Sequence, residues 1–113
     1  PLFRRFPRMT LRRVVVTGLG ALTPIGNDVP TYWNNLSAGV SGVGPITKFD
    51  ASKFRTRFAC EVKGLDITQY IPRQEARKMD PFAQYAVVVA DEAMRDAGLD
   101  PQTLNLDKAG VIW

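Results

Sequence analysis

Hydrophobic and polar positions fall into five unequal blocks along the chain. Arg12–Thr17 reads RRVVVT, with three consecutive β-branched valines, Val14, Val15 and Val16. An apolar run without alternation suits a strand covered on both faces, as in a parallel sheet. Gly18, Gly20 and the Pro24-Ile25-Gly26 turn interrupt it. From about Asp28 to Ala38, Trp33, Leu36 and Val40 recur at helical spacing, which predicts an amphipathic helix. Asn27 or Asp28 can cap it, Pro30 suits its first turn and Gly39 stops it. Gly39–Pro45 reads as a glycine-rich connector, and Phe58–Val62 (FACEV) alternates as a half-buried strand near a sheet edge. Ile67–Ile71 is a weak short helix or turn, and Pro72–Met79 a short charged helix or ordered loop.

The strongest pattern is Asp80–Ala97. Asp80 is placed as an N-cap, Pro81 as the first helical residue and Gly98 as the stop. Between them, Phe82, Ala83 and Tyr85–Ala90 surround the helix almost completely, interrupted only by Gln84. A helix that is apolar all round is buried on all sides. Asp91, Glu92, Arg95 and Asp96 gather in its second half, where Asp91 and Arg95 can pair at i,i+4 and the other acids read as a solvated face. Ala109–Trp113 (AGVIW) starts a last apolar strand.

The order strand, helix, strand, helix, strand predicts an α/β fold. Its apolar surface does not balance, because one amphipathic helix cannot cover an all-round apolar helix and two doubly buried strands. Burying one large apolar side chain is worth roughly 1.5–3 kcal/mol, so several left in water are costly. The expectation is an N-terminal piece of a longer protein. The alternative, a free-standing binding module, requires a soluble and cooperatively folding monomer.

Composition narrows the chemistry. The 113 residues contain no His and one Cys. That removes Ser-His and Cys-His pairs, His metal ligands, disulfide frameworks and multi-Cys zinc sites. Cys60 lies in a strand pattern beside Glu61 with no base to activate it, so it reads as a small buried apolar residue. Gly18-Leu19-Gly20 follows a strand, but Thr23 stands where a dinucleotide-binding loop needs its third glycine. A tight turn is the better reading.

The net charge of +4 comes mostly from one end. No acid precedes Asp28, and without the three arginines of residues 1–8 the charge falls to +1. A nucleic-acid groove is therefore not indicated. Met9 is the first methionine. Residues 1–8 (PLFRRFPR) are expected to be a non-native or upstream extension, the rival being the tail of an Arg-rich organelle presequence. No stretch reaches the ~18 apolar residues of a membrane span. Arg73, Arg77 and Lys78 form a basic cluster ahead of the capped helix, with Arg73 and Arg77 one helical turn apart and Glu75 available as a local partner.

Arg12–Asn27 (RRVVVTGLGALTPIGN), the Trp33…Leu36…Ala38-Gly39 helix end, Lys48-Phe49-Asp50, Ala76–Val87 (ARKMDPFAQYAV) and the final AGVIW together resemble the N-terminal part of a β-ketoacyl-acyl carrier protein synthase, closest to the type II elongating enzymes. The resemblance runs from about Met9 to Trp113. It implies the N-terminal portion of a thiolase-like fold, five layers αβαβα when complete, whose central helices lie between two sheets. It further implies a cytoplasmic homodimer that needs no metal or organic cofactor. The implied reaction is decarboxylative Claisen condensation of acyl chains with malonyl-acyl carrier protein in fatty acid biosynthesis. The family's nucleophilic Cys and its His residues lie beyond position 113, so no catalytic residue transfers and Cys60 is not the nucleophile. The basic residues before the Met-Asp helix start carry over as a carrier-protein docking site: Arg77 and Lys78, with Arg73 weaker. Gln74 stands where a close relative can carry Lys, which thins the patch. The rivals are a non-catalytic chain-length-factor-like subunit and a polyketide ketosynthase.

Overall fold

The computed structural model describes residues 12–112. Residues 1–8, expected to be an extension, and Trp113 lie outside them. Five elements follow one another: α1 (Val29–Ser37), β1 (Val43–Pro45), β2 (Phe58–Cys60), α2 (Arg73–Ala76) and α3 (Pro81–Asp96), with 3-10 turns at Ile67–Gln69 and Leu106–Lys108.

Both longer helices keep the boundaries expected of them, α1 with caps at both ends and α3 with one at its C-terminus. Asp28 caps α1, its Oδ1 accepting from the Thr31 amide at 2.7 Å and its Oδ2 from the Thr31 hydroxyl at 2.9 Å. The helix closes through Ala38, and Gly39 takes φ +70°. The Gly39 amide returns to the Leu36 carbonyl and the Val40 amide to that of Asn35. This is a Schellman closure, in which a left-handed residue lets the last carbonyls be satisfied. Gly98, at φ +64°, ends α3 in the same way, with Gly98 bonded to Arg95 and Leu99 to Met94. Asp80 sits at the N-cap position of α3, but its carboxylate makes no capping hydrogen bond.

The strands depart from expectation. Val43–Pro45, inside the expected glycine-rich connector, is β1, and it pairs antiparallel with β2 in the register Val43↔Cys60, Gly44↔Ala59, Pro45↔Phe58. Pairing overrides the poor strand propensity of Gly and Pro here. Val14–Val16 and Val111–Ile112 join no sheet, and Val14, Val111 and Ile112 are more than nine-tenths exposed. A strand exists only as part of a ladder, and no described segment supplies a partner for either stretch. Hence the parallel sheet expected from the sequence is not formed among the described residues.

Packing centres on α3 without enclosing it. Val88 is its buried residue, at 2% exposure, while Phe82 remains 63% exposed. The expectation of a helix covered on every side is therefore not met within this chain. The covered side faces the segment after Val16. A Cβ at Gly18 would strike the Ala93 carbonyl and Ala97, and one at Gly20 would strike the Val89 carbonyl. Two residues of extended chain advance about 6.6 Å and four residues of helix about 6 Å. Alternate residues of the glycine segment thus stay in step with successive turns of α3, running antiparallel to it. The glycines permit that approach along an extended segment, where a tight turn was expected.

Candidate functional site

Two groups of side chains carry the polar chemistry of the described residues. The first is internal. Glu92 Oε2 accepts from the Ala21 amide at 2.8 Å and its Oε1 from the Val29 amide at 2.8 Å. One turn further on, Asp96 Oδ2 accepts from the Leu19 amide at 2.9 Å. Val29 is the first residue of α1, so its amide belongs to the donors that a helix cannot satisfy internally. Glu92 therefore caps one helix from another while it holds the glycine segment. This corrects the reading of Glu92 as part of a solvated face, whereas Asp96 remains exposed while it holds the Leu19 amide. The pattern was partly visible: Gly18 and Gly20 on one segment, and Ala93 and Ala97 on a helix, are the small residues a close approach requires. Asp91 stays on the exposed side, paired with Arg95 at 2.8 Å as its spacing predicts.

The second group is the basic cluster. Asp66 starts a 3-10 turn at Ile67–Gln69, accepting from the Thr68 hydroxyl at 2.6 Å and amide at 3.0 Å. The Thr68 hydroxyl, then its amide, hold the Asp66 carboxyl below the ordinary aspartate value. Ile71 and Ala76 are buried, each at 6% exposure, and anchor one side of α2. Gln84 fixes its end, Nε2 donating to the carbonyls of Ala76 at 2.8 Å and Met79 at 3.0 Å. The one polar interruption in the apolar stretch of α3 is thus the bolt between α2 and α3.

With that side fixed, Arg73, Arg77 and Lys78 are left exposed. The Arg77 amide bonds to the Arg73 carbonyl, which stacks the two arginines one turn apart. Lys78 pairs with Glu75 at 2.9 Å, both largely exposed. Among the described residues neither arginine is in an ion pair, so the cluster presents two uncompensated guanidinium groups and one partly compensated ammonium. Such a surface attracts an acidic partner and has no means of bond-making.

Cys60 is exposed and not buried. It shares with Phe58 the uncovered face of the hairpin, while Ala59 between them is partly covered. No group of three or more His, Cys, Asp or Glu among the described residues is arranged to hold a metal ion.

The order of elements, with the glycine segment against α3 and the basic lead-in to that helix, makes this a mixed helix-and-strand chain. Residues 11–113 match the family description "Beta-ketoacyl synthase, N-terminal domain", and the chain belongs to the β-ketoacyl synthase family. It is 52% identical over 101 residues to a 3-oxoacyl-(acyl-carrier-protein) synthase 2 of Synechocystis sp., covering 89% of this chain and 24% of that protein. Identity to the protein of the same name from Staphylococcus aureus is 48% over 100 residues, covering 88% and 24%. With that of Vibrio cholerae it is 48% over 103 residues, covering 91% and 25%. The chain thus spans about a quarter of the length of these curated relatives. Among solved structures, the ishigamide ketosynthase/chain length factor superposes with a TM-score of 0.72 at 41% identity, over 82% of this chain and 23% of that one. The fold is therefore that of the ketosynthases, and this chain corresponds to part of their N-terminal domain.

Proposed function

We propose that this chain, from Met9 to Trp113, is the N-terminal part of a condensing enzyme that elongates acyl chains held on acyl carrier protein. The observation that carries the proposal is the 52% identity, over nearly the whole chain, to a 3-oxoacyl-(acyl-carrier-protein) synthase 2. In the reaction, an enzyme thiolate attacks the thioester of acyl carrier protein, takes the acyl group as a thioester of its own and releases the carrier's thiolate. Malonyl-carrier protein loses CO₂, and the carbanion so formed attacks the thioester carbonyl. A carbon–carbon bond forms, the enzyme thiolate leaves, and a 3-oxoacyl-carrier protein is released. The groups that perform these steps belong to the remainder of the whole protein. This chain contributes scaffold and docking.

In that whole protein the valine-rich stretch 14–16 and residues 109–112 join sheet strands, and further polypeptide covers the open side of α3. The support is physical: Val14, Val111, Ile112 and Phe82 are large apolar side chains in water, a condition that sustained folding disfavours. The protein acts as a cytoplasmic homodimer in fatty acid biosynthesis. No helix among the described residues is long and apolar enough to cross a membrane.

Arg77, Lys78 and, more weakly, Arg73 receive the acidic carrier protein. Exposed cations steer an acidic partner mainly through the association rate, and the effect fades with salt.

Two experiments test the reading. The whole protein, given acyl-carrier and malonyl-carrier protein, should release CO₂ and 3-oxoacyl product in equal amounts. No condensation under those conditions overturns the enzymatic reading and favours a chain-length-factor-like subunit. Reversing charge at Arg77 and Lys78 should raise the apparent Kd for carrier protein at low salt and leave it little changed at high salt. An unchanged low-salt affinity removes the docking site.

A further inference from the structure

A second basic surface lies on the segment between the two strands. Lys48, Lys53, Arg55 and Arg57 lie within ten residues of one another, against a single acid, Asp50. Asp50 offsets one charge of the four and is in no ion pair with them, its Oδ1 accepting instead from the Ser52 amide at 3.0 Å. Among the described residues none of the four cations is in an ion pair. Glu61, the other acid nearby, is engaged by Thr47, whose hydroxyl donates to it at 2.6 Å.

The segment is ordered by its own contacts. Phe49 and Phe54 meet edge to face with centroids 5.8 Å apart, yet both stay more than half exposed. Arg57 Nε donates to the Phe54 carbonyl at 3.1 Å. The segment also abuts α3, because the Lys48 ammonium stands 5.8 Å from the Tyr85 ring centroid, within cation–π range. Tyr85 lies in the early turns of α3, the helix that Arg77 and Lys78 lead into. An exposed aromatic pair rimmed by unpaired cations has the make-up of an interface centre with a polar rim.

We infer that the docking surface for the acidic carrier protein continues from α2 across the 48–57 segment, with Lys53 and Arg55 as its outer cations and the Phe49–Phe54 pair as its apolar contact. This rests on the carrier-docking reading above. Charge complementarity selects the occupant: a surface with four cations to one acid disfavours the same surface of a second copy and attracts an acidic protein.

The test compares three variants of the whole protein against holo acyl carrier protein, by binding kinetics at low and at physiological salt. Lys53→Glu/Arg55→Glu should weaken binding about tenfold at low salt, mostly in the association rate, and less at higher salt. Lys53→Gln/Arg55→Gln, which removes charge without reversing it, should fall between that variant and the unaltered protein. Arg77→Glu/Lys78→Glu is the internal reference. If the reference weakens binding and the Lys53/Arg55 variants do not, this inference is overturned while the α2 docking site stands. If neither weakens it, both fail. Loss of self-association by the Lys53/Arg55 variants with unchanged carrier affinity would assign the segment to a second copy, and also overturns the inference.

Discussion

Glu92 shows how much one carboxylate can organise. Its two oxygens serve two amides from different segments, one of them the unpaired first donor of α1. A glutamine offers a single acceptor oxygen, so Glu92→Gln must abandon the amide of Ala21 or of Val29. Hydrogen bonds to a charged partner are worth about 1.5–3 kcal/mol, and this one is partly buried. Glu92→Gln is expected to destabilise the whole protein by about 1–2 kcal/mol in urea denaturation. Asp91→Asn, which removes only the exposed pair with Arg95, should cost about 0.5 kcal/mol or less. Equal effects would mean that the Glu92 bonds carry no special weight. The sequence could not separate these two acids, because adjacent residues on one helix differ only in which neighbour they meet. Gln84 has the same history: it stands out as an interruption, but its purpose depends on where the end of α2 lies.

Helix ends are written locally, and strands are not. Asp28, Gly39 and Gly98 act on backbone groups within a few residues, so the bounds of α1 and α3 followed from the sequence. β1 was missed because Gly44 and Pro45 carry no strand signal of their own and owe their place to β2 across the ladder. A side-chain bond outside the ladder also ties the two segments, Glu61 accepting from the Thr47 hydroxyl at 2.6 Å and amide at 3.2 Å. The Thr47 hydroxyl, more than the backbone amides and the nearby Lys48, holds the Glu61 carboxyl below its ordinary 4.5. A carboxyl lowered on folding lends stability above its unfolded pKa, and that stability is lost as pH falls through the folded value. Thr47→Val should therefore move the Glu61 titration, followed by carboxyl NMR, up toward 4.5, and the hairpin should loosen at a higher pH. An unmoved titration would show that the Thr47 hydroxyl is not the cause. The basic cluster at Arg73, Arg77 and Lys78 was legible in the sequence. The contact of the 48–57 segment with α3 was not legible, because only the fold brings Lys48 against Tyr85.

For the molecule as a whole, apolar pattern and packing disagree in an informative way. The radius of gyration is 20.9 Å, against about 13 Å for a compact domain of this length. Among the described residues Val88 is the large side chain that is fully buried, although the sequence marks most of α3 for burial. Val14–Val16 and the apolar residues Val111 and Ile112 ask for the same cover. Family membership accounts for all three, since ketosynthase relatives are about four times longer than the matched segment. Amide hydrogen exchange on α3 puts this to the proof, comparing residues 9–113 alone with the whole protein. Phe82–Ala90 should exchange more than about a hundredfold more slowly in the whole protein, where both sides of the helix are enclosed. Equal and strong protection in the isolated segment, together with a cooperative melt, would contradict it.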